Sequence, residues 1–379
     1  MTILVLFTFG ISLKTWKEKG LIDRELEYYR KLVQKYNFKF VFLTYGDESD
    51  LFLKEKNIEI YPIYSKFRKP NSIFIAIIHS ILFPIFAFKE FSKIDIIKTN
   101  QMLGSWIGVI LSKILKKPLI LRSGYELYDF AIKAKKSSSY RLFIYLISYF
   151  AYKSAQRIHL ATNKDKLFIQ KKFTISEEKI FIYPNFIDTS LFKPIKKPSN
   201  EKLLFVGRFN KQKNIPLIFQ ALKGLNVELD LIGSGEEEKN LRLLSDKLKI
   251  RVNFIGIVPN EEMPEIYIKY KAYILTSKYE GNPKTLLEAM SCGCCVIGTD
   301  VDGINNILFH NKNGILSIES VSEVRKAIKR VFLKKSAPLI RQMSIEARKF
   351  IIDNHSLEHI LNMEKEAYKS LSDIRIERV

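Results

Sequence analysis

Short apolar runs alternate with amphipathic helical patterns along this chain, and the alternation breaks once before starting again. Strand patterns fall at residues 3–9, 38–44, 58–62, 94–99, 118–122 and 157–161. Helical patterns such as 22–35 and the aromatic stretch 141–153 lie between them. Strands separated by helices imply a parallel sheet with right-handed crossovers. The break is the polar stretch Lys193-Pro194-Ile195-Lys196-Lys197-Pro198-Ser199-Asn200. Beyond it strands at 203–206, 227–232, 252–255, 272–275 and 295–298 alternate with helices at 215–222, 236–248 and 284–291. The predicted fold is α/β, two Rossmann-like domains facing each other across a cleft at the carboxyl ends of their strands. Residues 1–190 form the first domain and 191–349 the second. A long helical region, 337–374, folds back so that 350–379 packs on the first. A chain of 379 residues accommodates two such cores.

Charge narrows the partners. Lys and Arg number 62 against 40 Asp and Glu, a net +22, which favours a polyanion: nucleic acid, acidic lipid or phosphorylated sugar. The basic residues are scattered among helices and form no nucleic-acid recognition motif, so no nucleic-acid partner is expected. The three cysteines, Cys292, Cys294 and Cys295, lie too close together to staple a fold and suit a reducing cytosol. A zinc site would need four ligands, and no His is near them. Residues 3–9 read as a first strand, not a signal peptide. The uncharged run 73–88 (IFIAIIHSILFPIFAF) is shorter than the ~20 residues of a bilayer span and contains Pro84. It reads as a buried helix, as one lying in a membrane interface or, least favoured, as a true span. A second apolar run, 143–152, has Lys133, Lys135, Lys136 and Arg141 before it, as Lys66, Arg68 and Lys69 precede the first.

Four segments of the second half have the makings of a phosphate and sugar site. Gly207-Arg208-Phe209-Asn210-Lys211-Gln212-Lys213-Asn214 follows a strand and puts two cations, Arg208 and Lys213, at its end. Cations aimed at a diphosphate leaving group stabilise the charge that grows as its bond breaks. Alone, the segment could equally be a solvated basic turn. Gly233-Ser234-Gly235-Glu236 is a tight strand-to-helix turn, and Phe254-Ile255-Gly256-Ile257-Val258-Pro259 a strand end whose backbone at Ile257 could face a base. The fourth, Ser277-Lys278-Tyr279-Glu280-Gly281-Asn282-Pro283-Lys284-Thr285-Leu286-Leu287-Glu288-Ala289-Met290, carries two carboxylates around a helix start. A helix N-terminus offers N–H groups to ligand oxygens.

Glu280 and Glu288, with Leu-Leu-Glu-Ala-Met-Ser-Cys-Gly at 286–293, resemble the paired-glutamate motif of glycosyltransferase family 4. Tyr183-Pro184-Asn185, Asp188 and Phe192-Lys193-Pro194 are also similar to that family's segments. The resemblance implies a GT-B fold and retaining transfer from a nucleotide sugar, UDP- or GDP-linked, without metal or cofactor. It implies that Arg208 and Lys213 hold the diphosphate and Glu288 the ribose. Glu280, with the backbone around Gly281, Asn282, Pro283 and Lys284, would hold the donor sugar. Gly207 and Gly233 would line the donor site, and Gly20 would face the phosphates from the acceptor side. Arg208, Lys213 and Glu280 are the expected catalytic residues.

The chain departs from the family where a His is common at the end of a first-domain strand. Leu121-Arg122-Ser123-Gly124-Tyr125-Glu126 stands there instead, with Arg122, Tyr125 and Glu126 as substitutes and Trp16 on the preceding basic loop as a further acceptor-side candidate. Asp300-Val301-Asp302 has a metal-binding spacing but reads as a loop. The expected function is assembly of a cell-surface polysaccharide or lipopolysaccharide. A glycan or lipid-linked acceptor would be met on the cytoplasmic face of the cell membrane by a protein held peripherally on anionic lipid. Competing readings are a GT-B epimerase or phosphorylase, and a basic membrane- or nucleic-acid-binding protein.

Overall fold

The computed structural model describes residues 1–65, 67–194 and 200–372. Lys66, most of the predicted linker (195–199) and the predicted helix end at 374 lie outside the described residues. The chain forms two compact units, Met1–Pro184 with the segment from Leu361 onward, and Asn185–Ile360. Residues 350–360 therefore go with the second unit, and only from Leu361 does the chain rejoin the first.

The first unit is a seven-stranded parallel sheet. Its strands are β1 (Thr2–Leu6), β2 (Lys39–Thr44), β3 (Ile58–Pro62), β4 (Ile96–Thr99), β5 (Leu119–Ser123), β6 (Arg157–Leu160) and β7 (Ile180–Ile182), in the order β3-β2-β1-β4-β5-β6-β7. Helices α1 (Leu13–Glu18), α2 (Ile22–Tyr36), α3 (Ile73–Ala87), α4 (Ser105–Leu115), α5 (Leu127–Lys133), α6 (Ser138–Ser154) and α7 (Asn163–Phe173) make the connections. Strands buried on both faces need continuous apolar runs, and Ile3, Leu4, Val5 and Leu6 are all buried. β7 has only three residues, too few for a period to show in sequence.

Helix α3 corrects the buried-helix reading of residues 73–88. Ser80, Phe83, Pro84 and Ala87 face inward, while Ile73, Phe74, Ile85 and Phe86 are 52–72% exposed. It packs beside α4, and α4 beside α6, on whose outer side Leu142, Phe143, Leu146 and Phe150 are also exposed.

The second unit has strands β8 (Asn200–Val206), β9 (Leu229–Ile232), β10 (Val252–Gly256), β11 (Tyr270–Leu275), β12 (Cys295–Thr299) and β13 (Ile315–Ser317), ordered β10-β9-β8-β11-β12-β13 and all parallel. Its helices are α8 (Ile215–Leu222), α9 (Glu238–Leu248), α10 (Met263–Tyr267), α11 (Lys284–Ser291), α12 (Val321–Phe332) and α13 (Ala337–His355). The last helix, α14 (Leu357–Ser372), starts in this unit and ends in the first. The predicted helical region is thus two helices. Ser356 is extended (φ −71°, ψ 145°), and Ile187 bridges the break, its N–H donating to the His355 carbonyl (2.8 Å) and its carbonyl accepting from Leu357 (2.9 Å). In each sheet the strand order reverses once, between β1 and β4 and between β8 and β11. Ligands of open α/β sheets bind at such switch points.

Candidate active site

The loops that follow β8 and β11 meet at the second unit's switch point. After β8 the chain turns through Gly207 and Arg208 into a short helical turn capped by Asn210, whose side-chain oxygen accepts from the Lys213 N–H (3.2 Å). After β11 it runs through Thr276 to Pro283 and enters α11. The two loops are stitched together. The Lys278 N–H donates to the Gln212 carbonyl (2.9 Å), the Gln212 amide to the Tyr279 carbonyl (2.8 Å), and the Thr276 hydroxyl to the carbonyls of Lys213 and Asn214 (3.2 and 3.1 Å).

This stitching brings Lys213 to Glu280. The Lys213 Nζ lies 2.5 Å from the Glu280 Oε1, and the buried Ser277 hydroxyl donates to the same oxygen at 2.6 Å. The two side chains are only 15% and 8% exposed, so the pair is poorly screened. Arg208 is exposed at the same strand end.

Glycines follow or end the neighbouring strands, and at Gly233 nothing larger fits. Gly233 ends β9 at φ +131°, and a Cβ there would stand 2.0 Å from the Gly207 carbonyl oxygen. Its N–H donates to the Gly256 carbonyl (2.8 Å), and that of Gly207 to the Ile232 carbonyl (2.9 Å). Ile257, just past β10, is 78% exposed.

The glutamate loop is also braced from below. The Glu280 N–H donates to the Asp302 carbonyl (3.0 Å), and Gly303 lies so close that a Cβ would be 2.4 Å from the Glu280 carbonyl oxygen. The Asp300 carboxylate accepts from the Asn305 amide (3.0 Å). The Asp300-Val301-Asp302 segment therefore supports the glutamate loop. Among the described residues no group of three or more His, Cys, Asp or Glu is placed to hold a metal ion. On the other side the Asn185 amide donates to the Asn282 carbonyl (2.6 Å).

Helix α11 is fixed by Leu286, Leu287, Ala289 and Met290, all in the core, with Pro283 at its N-cap and Lys284 at its first turn. Glu288 on this helix is only 4% exposed, and its Oε2 accepts from the Tyr267 hydroxyl at 2.9 Å. The cysteines that follow are free and buried.

Of the predicted donor residues, Gly207, Arg208, Lys213, Gly233, Ile257, Glu280, Gly281, Asn282, Pro283, Lys284 and Glu288 all lie on or beside these strand ends and α11. Gly20 belongs to the first unit, at φ +62° after α1. Two acceptor-side candidates are corrected. Trp16 is 6% exposed and stacked on Phe7 (4.4 Å), and Glu126 is fully buried, its Oε2 capping α5 through the Asp129 N–H (2.5 Å). Burial pushes the Glu126 carboxyl up to about 7. Both serve the fold. Tyr125 is 38% exposed with its ring against Phe130 (4.7 Å), and Arg122 is half-buried, its charge disfavouring protonation of Lys98 and His159. The Ser123 hydroxyl, where the family often has His, is spent on the Tyr125 carbonyl (2.5 Å). Sequence reasoning missed Tyr267 and gave Ser277 no role; neither lies at a spacing that links it to a glutamate.

Solved structures share this architecture. HepE from Anabaena, solved with UDP, superposes at TM-score 0.76 over 98% of this chain and 100% of its own, at 18% identity. The lipopolysaccharide outer core galactosyltransferase WaaB gives 0.69 over 98% and 100%, at 19% identity. The fold is therefore GT-B, the fold of a large class of glycosyltransferases. Residues 186–350, within the switch-point unit, match the family described as glycosyl transferases group 1. The chain is also similar to an Escherichia coli UDP-Gal:alpha-D-GlcNAc-diphosphoundecaprenol alpha-1,3-galactosyltransferase. The two are 26% identical, over 73% of this chain and 75% of that protein.

Proposed function

We propose that the enzyme transfers a sugar from a UDP-sugar, with retention at the anomeric carbon, to a lipid-linked glycan on the cytoplasmic face of a membrane. The observation that carries the reading is the Lys213–Glu280 pair at the switch point, with Arg208 exposed on the same loop as Lys213. Arg208 and Lys213 neutralise the diphosphate as its bond to the sugar breaks, Glu280 orients the sugar, and Glu288 takes the ribose. Cations fixed at the leaving group do in this site what a divalent ion does elsewhere, so transfer proceeds in EDTA. The UDP in the HepE structure and the diphosphoundecaprenol acceptor in the Escherichia coli relative's name support the choice of donor and acceptor class.

Membrane attachment is supported by the exposed apolar sides of α3 and α6, edged by exposed Arg68, Lys69, Lys89, Lys113, Lys133, Lys135 and Lys136. Apolar surface rimmed by cations suits an anionic lipid interface, where each basic residue adds about 1 kcal/mol. Three buried thiols that form no disulfide are consistent with a cytoplasmic setting.

The test is an assay of purified protein with labelled nucleotide sugars and membranes that carry diphosphate-linked lipid sugars, in excess EDTA, with NMR of the product linkage. Label should enter the lipid extract with the donor's anomeric configuration. Inversion would refute retention. Transfer restored only by magnesium or manganese would make Asp300 and Asp302 metal ligands after all.

A further inference from the structure

Glu288 is buried, and its orientation is set by a residue from another element. Tyr267, the last residue of α10, is fully buried, its ring packed against Tyr273 (6.1 Å) and Phe192 (6.3 Å). Its carbonyl is also held, accepting from the Cys294 thiol at 3.1 Å. A phenol fixed on all sides in this way has its hydroxyl at one point in space, and that point is 2.9 Å from the Glu288 Oε2. A second tyrosine aligns the same helix: the Tyr273 hydroxyl lies 2.8 Å from the Thr285 hydroxyl, one turn before Glu288.

We propose that Tyr267 is a positioning residue for nucleotide recognition, locking the Glu288 carboxylate in the plane that lets it take the vicinal hydroxyls of the donor's ribose. The inference rests on the reading of Glu288 as the ribose ligand and adds the residue that makes that contact selective. A carboxylate on a two-bond stem rotates freely in water, and a hydrogen bond to one oxygen fixes the lone-pair directions of the other. Burial, reinforced by the Glu288 charge, raises the Tyr267 pKa well above its ordinary value, so the hydroxyl remains a donor throughout the working pH range. Without that donor the buried carboxylate turns toward other partners, and the ribose contact loses its geometry. Contacts to the base and diphosphate are made by other residues and are unaffected.

The experiment is calorimetric titration of the full chain with UDP and GDP, each beside its 2′,3′-dideoxy analogue. It uses the native protein, Tyr267→Phe, Glu288→Gln and the double variant, with thermal midpoints measured in parallel. A site built on hydroxyl contacts rejects the analogue that lacks them, here by about tenfold or more in the native protein. Tyr267→Phe removes one oxygen and keeps the ring. It should weaken the ribo form severalfold, leave dideoxy affinity unchanged, and add nothing in the Glu288→Gln background. If Tyr267→Phe keeps the native preference while Glu288→Gln loses it, Glu288 is the ribose ligand and the Tyr267 proposal is wrong. Equal weakening of both forms by Tyr267→Phe would reduce Tyr267 to a packing role. If Glu288→Gln keeps the preference, the ribose reading itself fails and the proposal falls with it.

Discussion

Lys98 and Glu364, 266 positions apart in the chain, form an ion pair at 2.5 Å in the interior of the first unit. Lys98 is on β4 and Glu364 on α14, with exposures of 3% and 2%, and the hydroxyls of Tyr28 and Tyr368 lie 3.4 and 3.2 Å from the lysine nitrogen. Burial alone would raise the Glu364 carboxyl, but Lys98 and His159 overcome it and hold it well below the usual carboxylate range. The pair ties α14 to this sheet, together with hydrogen bonds from Tyr183 to the Met363 carbonyl (2.9 Å) and from Arg157 to Ser370 (2.7 Å).

Breaking one partner leaves a buried charge without compensation, which costs about 3–5 kcal/mol. Glu364→Ala should therefore lower the denaturation midpoint sharply, while Lys98→Met with Glu364→Leu, which removes both charges, should cost much less. Chemical denaturation measures this, and equal losses in the two variants would show that packing, not charge, holds the helix.

His159 gives the fold a pH dependence. Its ring is stacked on Tyr183 (3.7 Å) and fully buried, and burial pushes its pKa down to about 4 from the ordinary 6.5, against the pull of Glu364. Between those values the unfolded chain binds a proton that the folded chain does not. Stability is thus complete above pH 6.5 and falls as pH drops toward 4, by about 3 kcal/mol. Glu126, raised to about 7, works the other way: its folded form keeps a proton that the unfolded chain loses as pH rises from 4.5. The two partly cancel in the native protein. His159→Phe keeps the stack and should gain stability relative to native as pH falls from 6.5 to 4. Parallel stability curves for the two proteins would remove His159 from the account.

Arg208 and Lys213 face the leaving group in the proposed mechanism. One contact made only as charge develops is worth about 2.7–4 kcal/mol, so alanine at either position should lower kcat by about 10²–10³. Lys213→Ala also frees Glu280 from its ion pair, so its donor KM should change as well, which Arg208→Ala leaves nearly alone. A rise in KM with kcat intact in both would mean that these cations bind ground state and transition state alike.

The exposed face of α3 should insert into lipid. Phe74 and Phe86 are 68% and 70% exposed, and burying such a side chain is worth about 1.5–3 kcal/mol. Flotation with anionic vesicles should recover the native protein at low salt and progressively less as salt rises. Phe74→Ser with Phe86→Ser should abolish recovery without changing the thermal midpoint. Absence of flotation on anionic and neutral vesicles alike would end the membrane proposal.

The sequence by itself determined the two-sheet architecture and the gathering of the candidate donor residues at one sheet edge. Both are local. The strand–helix alternation repeats within a few residues, and the helices 215–222 and 284–291 are bounded as the pattern predicts. Gly207, Arg208, Lys213, Glu280 and Glu288 sit in contiguous segments at strand ends, where chain order alone places them on one edge of a parallel sheet. Only the tertiary structure decided the rest. An apolar run such as 73–88 reads the same whether its outer side meets protein or solvent. Trp16 and Glu126 looked available because exposure is a property of what packs on a residue. The Lys98–Glu364, Lys213–Glu280 and Tyr267–Glu288 contacts join residues that are distant in sequence, with no spacing that could announce them. Their energy comes from burial and from the low dielectric around them, and neither exists until the sheets have closed over those side chains.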